Sequence, residues 1–182
     1  MYKTRRTLLA SLLIAVVVSL GYALAGVPNI ELMSVTVFVS GFLLGPSMGA
    51  VVGGGSAGLF SLFNPLGAAL PPLLAAQILG FSVIGASGGL VGPVVLQVQR
   101  PLSVAFSGML GFLLTLFYDL VTNVGAFFVM TGTREISGIV KFVSAGVMFM
   151  GMHLLWNTVV FAVALMPILH VLNRYRRELS GQ

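Results

Sequence analysis

The sequence predicts an all-α polytopic membrane protein, a compact bundle of six transmembrane helices with both termini cytoplasmic. Three observations predict it. Hydrophobic residues make up 58% of the 182 positions and charged residues 7%, with a mean hydropathy of +1.08, whereas water-soluble domains carry about 25% charge. Clusters of glycine and proline cut the chain into six apolar segments, the most that 182 residues hold when each span needs ~20 residues to cross roughly 30 Å of hydrocarbon. Basic residues collect where alternate segments end. This composition excludes a soluble globular domain, a disordered chain and a nucleic-acid-binding protein. Nine Lys and Arg against four Asp and Glu then report membrane topology, since basic loops stay on the cytoplasmic side. No cysteine is present, which excludes disulfides, thiolate metal sites and a cysteine nucleophile.

A single membrane domain over 1–182 is expected, with spans at about 7–25, 30–44, 47–63, 71–92, 101–130 and 139–173. The first apolar run, from Leu8 to Ala25, exceeds the ~7–15 residues of a signal-peptide core and reads as a span. It stops at the breaker Gly26-Val27-Pro28-Asn29. Gly45-Pro46 makes a tight turn after the second helix, and Asn64-Pro65-Leu66-Gly67 ends the third. Pro71 and Pro72 suit the first turn of the fourth, where the N–H that proline lacks has no partner in any case. The fourth ends at Gly92-Pro93, the fifth starts at Pro101, and the sixth is long enough to require tilt or extension beyond the bilayer. With the N-terminus inside, Lys3, Arg5, Arg6, Arg100, Arg174, Arg176 and Arg177 fall inside, and Arg134 and Lys141 outside. No internal repeat of the inverted-transporter kind is visible.

Helices in lipid approach one another through small residues. Ser11, Ala15, Ser19 and Ala23 recur every four residues on the first helix, a face that either packs within the bundle or docks another membrane subunit. Gly41, Gly45, Gly49 and Gly53 also recur at four. Pro46 interrupts them, so they are expected to pack tightly inside the bundle without forming one ridge.

Polar groups within spans are costly enough to mark function. Asp119 lies about 27 Å along the fifth helix from Pro101, with Tyr118 beside it and Asn123 one turn on. His153 and Asn157 share a face of the sixth helix, beside Trp156. Gln77 lies in the outer part of the fourth, and Asn29, Glu31 and Asn64 at outer loops or helix ends. Structural readings compete at each position: an interfacial Asp119 paired with Lys141 or Arg134, an aromatic belt at Trp156, an amide joining two helices at Gln77. Convergence favours a pocket, because four elements carry polar residues toward the outer half, and the inner half has essentially none before the arginine-rich ends. That distribution fits a site loaded from outside, and an ion channel or proton wire would need polar groups across the full thickness. Two carboxylates would favour a cationic or hydrogen-bond-donating part of a ligand.

No nucleophile with its base, no HExxH helix, no aspartate pair for Mg²⁺ and no phosphate loop occurs. Gly53-Gly54-Gly55-Ser56 lacks the lysine of a nucleotide loop. The chain is therefore expected to be no enzyme, to have no catalytic residue and no resident cofactor or metal, and to depend on a partner for energy.

Four segments resemble a known family: Pro28-Asn29-Ile30-Glu31, Gly41-Phe42-Leu43-Leu44-Gly45-Pro46-Ser47-Met48-Gly49, Tyr118-Asp119-Leu120-Val121-Thr122-Asn123, and His153 to Asn157 followed by Pro167. In this order, and over nearly the whole chain, they resemble the substrate-binding S component of energy-coupling factor (ECF) vitamin transporters. The resemblance implies a six-helix protein of a prokaryotic plasma membrane that binds a vitamin or related organic micronutrient near the outer face. It implies a module of two cytoplasmic ATPases and a transmembrane coupling subunit as partner, with toppling in the bilayer to release the substrate. The family's Ala-x-x-x-Ala motif, which contacts the coupling subunit, falls on Ser11 and Ala15, with Ser19 extending the stripe. Neither a riboflavin nor a thiamine signature is evident, and a cobalamin-related or other ligand is as consistent. The expected substrate-binding residues are Asn29, Glu31, Asn64, Gln77, Tyr118, Asp119, Asn123, His153, Trp156 and Asn157. The alternative is a structural or assembly subunit of a larger membrane complex, without a small-molecule ligand.

Overall fold

The computed structural model describes residues 2–132 and 135–180; Arg134, expected on the outer side, lies outside them. The described chain is all-α: α1 (Tyr2–Leu24), α2 (Met33–Leu44), α3 (Pro46–Leu62), α4 (Pro71–Val95), α5 (Leu102–Thr131), α6 (Ile136–Ala145) and α7 (Val147–Ser180). Segments of α1, α4, α5 and α7 are long and apolar enough to cross a membrane. At 12 residues α2 spans roughly 18 Å, and α3, at 17 residues, roughly 25 Å, both short of the bilayer core on length alone.

The expected sixth span, 139–173, is two helices. α6 ends at Gly146, whose N–H bonds to the carbonyls of Phe142 and Val143 in a tightened final turn. No residue of α6 is buried, and α7 starts afresh at Val147. Elsewhere the glycine and proline punctuation places the elements to within a few residues. Gly45 adopts φ +84 between α2 and α3, a left-handed conformation open to glycine at no steric cost. Pro46 and Pro71 open α3 and α4.

At the centre lies α2, with ten of its twelve residues buried. Phe38 and Phe42 pack there with Ile84 of α4 and with Phe161, Leu165 and Leu169 of α7, and the Phe38 and Phe161 rings meet edge-on at 5.6 Å. Both arms of the α2–α3 hairpin press on α4 through glycines. A Cβ at Gly41 or Gly49 would stand 1.8 or 2.3 Å from the Gly85 carbonyl oxygen, and one at Gly85 would stand 2.0 Å from that of Gly49. The glycines of both arms thus share one partner, and the expectation of tight packing without a single ridge holds.

α1 lies at the edge. Its Ala10, Val17 and Gly21 face the bundle and are buried, while Ser11, Ala15, Ser19 and Ala23 are all exposed. The small-residue face therefore does not pack internally. The Arg6 guanidinium donates to the carbonyl of Leu44, and the Arg176 guanidinium lies 5.1 Å from the Phe42 ring centroid. The beginning of α1 and the end of α7 thus meet the same end of α2, which defines a termini end of the bundle and a remote end.

Candidate functional site

The remote end holds a cavity of about 620 Å³, within the range of small-molecule sites. The end of α1 and the loop after it contribute Asn29 and Glu31, α3 contributes Phe60 and Ser61, and α4 contributes Gln77 and Phe81. α5 adds Tyr118, Asp119, Thr122 and Asn123, and α7 adds Phe149, Met150 and His153. Exposed Val27, Pro28 and Leu66 stand at the rim. Residues far apart in sequence meet because the chain returns to this end at the close of α1, α3 and α5 and at the start of α2, α4 and α7.

Glu31 reaches the site from the loop entering α2. Its Oε2 accepts the Ser34 N–H at 2.8 Å, satisfying one of the unpaired donors of the first turn. Its backbone carbonyl accepts the Trp156 indole N–H at 3.0 Å. Burial pushes the Glu31 carboxyl up, but the nearby His153 and the Ser34 N–H outweigh that and hold it below its ordinary 4.5. The His153 imidazole stands between two acids: Nδ1 is 2.8 Å from Asp119 Oδ1, and Nε2 is 3.7 Å from Glu31 Oε1. The hydrogen bond to Asp119 fixes the orientation of the ring. Tyr118 stacks edge-on to Phe81 at 4.9 Å and to His153 at 6.1 Å. The Asn123 amide donates to the Asp119 backbone carbonyl at 2.7 Å.

Seven of the ten expected binding residues line this cavity: Asn29, Glu31, Gln77, Tyr118, Asp119, Asn123 and His153. Three do not. Asn64 turns its Oδ1 onto the N–H of Leu66, 2.8 Å away, and serves the turn after α3. Trp156 points at the Glu31 carbonyl from behind the cavity wall. Asn157 shares the face of His153 but lies a turn deeper, below the cavity floor, with 0% exposure. Sequence reasoning missed the apolar wall of Met33, Phe60, Phe81, Phe149 and Met150, because in so apolar a chain no signal separates a residue facing a cavity from one facing lipid.

The half of the bundle toward the termini end, expected to hold essentially no polar residues before the arginines, is less bare than that. Ser103, Ser107 and Thr115 of α5 are fully or nearly fully buried, as is Ser56 on α3. Their hydroxyls, like both polar atoms of the Asn157 amide, have no protein hydrogen-bond partner. Short hydroxyls act as small residues at helix contacts, so a count of amides and charges passed over them. Glu31, Asp119 and His153 nevertheless sit together at the remote end.

Chemically the cavity offers acceptors. Asp119 Oδ2, Glu31 Oε1 and Gln77 Oε1 are buried without hydrogen-bond partners, and buried oxygens in that state are costly until a donor arrives. Among the described residues no group of His, Asp and Glu side chains has the geometry of a metal site. No family model, curated protein or solved structure matches the chain.

Proposed function

We propose that this chain is the membrane-embedded substrate-capture subunit of an ECF-type importer, which takes up a vitamin or related organic micronutrient at the remote end and passes it through an ATPase-driven partner module. The observation that carries the reading is the convergence of Glu31, Gln77, Asp119 and His153 on one cavity of about 620 Å³. Such a cavity with buried, unpartnered oxygens suits capture, and the chain has no nucleotide loop to drive release. In this reading the bundle crosses a prokaryotic plasma membrane six times, the short α2 and α3 within it, and both termini are cytoplasmic. The arginines of the termini end support that orientation.

The outward face of Ser11, Ala15 and Ser19 is the proposed contact for a transmembrane coupling subunit, since small residues let a partner helix approach. Tagged chain drawn from native membranes is expected to bring with it two ATPases and one coupling subunit. Ala15→Leu is expected to abolish that association and leave ligand binding unchanged. A stoichiometric partner of another kind would favour a structural subunit, and equal loss of assembly and binding would contradict the docking role.

Orientation has its own test, made clean by the absence of native cysteine. Cysteine placed at Gly26, near the cavity rim with open space around it, is expected to react with a membrane-impermeant maleimide on intact cells. Cysteine placed at exposed Gln99, in the loop between α4 and α5, is expected to react after lysis alone. The reverse pattern would invert the topology.

A further inference from the structure

Among the described residues lining the cavity are two carboxylates and one histidine, and no lysine or arginine. The wall thus carries two acidic side chains against one basic one. Several polar atoms in it are already engaged. Glu31 Oε2 accepts from Ser34, the Asn123 amide donates to the Asp119 carbonyl, and the Thr122 hydroxyl donates to the Tyr118 carbonyl at 2.9 Å. The three that are buried without a hydrogen bond, Asp119 Oδ2, Glu31 Oε1 at 3.7 Å from His153 Nε2, and Gln77 Oε1, are all acceptors. Asp119 itself is 6% exposed, so solvent supplies few hydrogen bonds to its carboxyl. A ligand carboxylate or phosphate would bring more negative charge and further acceptors to a wall that needs donors. Burying charge in that way, without a counter-charge, is strongly disfavoured.

We infer that the ligand enters this cavity with a cationic, N–H-bearing group, an ammonium, an amidinium or an aminated heteroaromatic ring, held by Asp119, Glu31 and Gln77. Its apolar body lies against Phe60, Phe81, Tyr118 and Phe149, whose ring faces also attract a cation. The ligand class is thus an amphipathic organic cation. This assignment rests on reading the cavity as the capture site.

Three probes of one shape and different charge test it: benzamidine, benzamide and benzoate. Trp156 is the single tryptophan and bonds directly to the Glu31 carbonyl, so its fluorescence reports occupancy in the purified full chain. Benzamidine is expected to give a saturable change with an affinity at least about tenfold above that of benzamide, since a charge-assisted hydrogen bond is the stronger kind, and benzoate no saturable change. Asp119→Asn and Glu31→Gln are each expected to erase most of the advantage of benzamidine over benzamide. The ranking of the three probes on the unmodified chain decides the matter should a variant fail to fold. Benzoate binding as tightly as benzamidine, no saturable response to any probe, or an advantage that survives both substitutions would overturn the assignment. Failure of the importer reading alone has a different signature, a benzamidine preference in a chain that brings down no ATPase module. Failure of the cation assignment alone leaves the module attached and the preference absent.

Discussion

Gly85→Val is expected to abolish the folded bundle. A Cβ at Gly85 would stand 2.0 Å from the Gly49 oxygen and 3.2 Å from the Ala50 nitrogen, and the Gly85 carbonyl itself already lies within 1.8 Å of where a Cβ on Gly41 would be. These neighbours are backbone atoms, so no rotamer change relieves the overlap. α4 must move away from both arms of the α2–α3 hairpin, and with it go the contacts of Phe38, Phe42 and Ile84. Overpacking a core costs roughly 1–3 kcal/mol where side chains can yield; here the expected loss is about 4–5 kcal/mol or more, the range reached by the most damaging single substitutions. Thermal melting and size-exclusion behaviour of the purified variant measure it. Gly151→Ala is the control, since nothing lies within 4 Å of its Cβ position, and it is expected to melt as the unmodified chain does. A Gly85→Val protein that melts normally would mean that α2, α3 and α4 do not cross where the structure has them.

Asp119→Ala is expected to have the largest effect on ligand binding. It removes the partner of His153 Nδ1 at 2.8 Å and one of the three unpartnered acceptors of the cavity. Truncating one member of a buried, hydrogen-bonded charge pair costs about 2–5 kcal/mol of binding, which is roughly 30-fold to several thousand-fold in affinity. Cellular uptake is expected to fall with it. Asp119→Asn keeps the shape and removes the charge, and is expected to lose most of the same binding with little loss of stability. Uptake unaffected by Asp119→Ala would remove this residue from the site.

The helices were legible because a chain this apolar has few ways to turn. Gly26-Val27-Pro28-Asn29, Gly45-Pro46 and Asn64-Pro65-Leu66-Gly67 are the places where the chain stops being helical. Gly146 was not legible as a break, because it has no proline beside it and apolar residues on both sides. The polar Ser137, Lys141 and Ser144 near the start of the expected sixth span were the available signal. The polar members of the site were readable for a related reason: Glu31, Gln77, Asp119 and His153 are rare side chains in their surroundings, and hydrocarbon leaves such groups few places to go. Depth was harder to judge. Asn157 follows His153 by one helical turn, about 5.4 Å, enough to drop it beneath the floor. Asn64 and Trp156 satisfy backbone groups, a use that spacing alone does not separate from ligand contact. Internal packing of the α1 stripe is excluded by Ala10, Val17 and Gly21, which take the inward face, a choice that small-residue spacing alone does not make.

The most direct test of the account is mass spectrometry of the small molecules released from freshly purified chain, unmodified and with Asp119→Asn. The account predicts one organic cation in near-stoichiometric amount from the unmodified protein and its loss from the variant. An identical small-molecule content in the two preparations, or an organic anion bound to both, would contradict it.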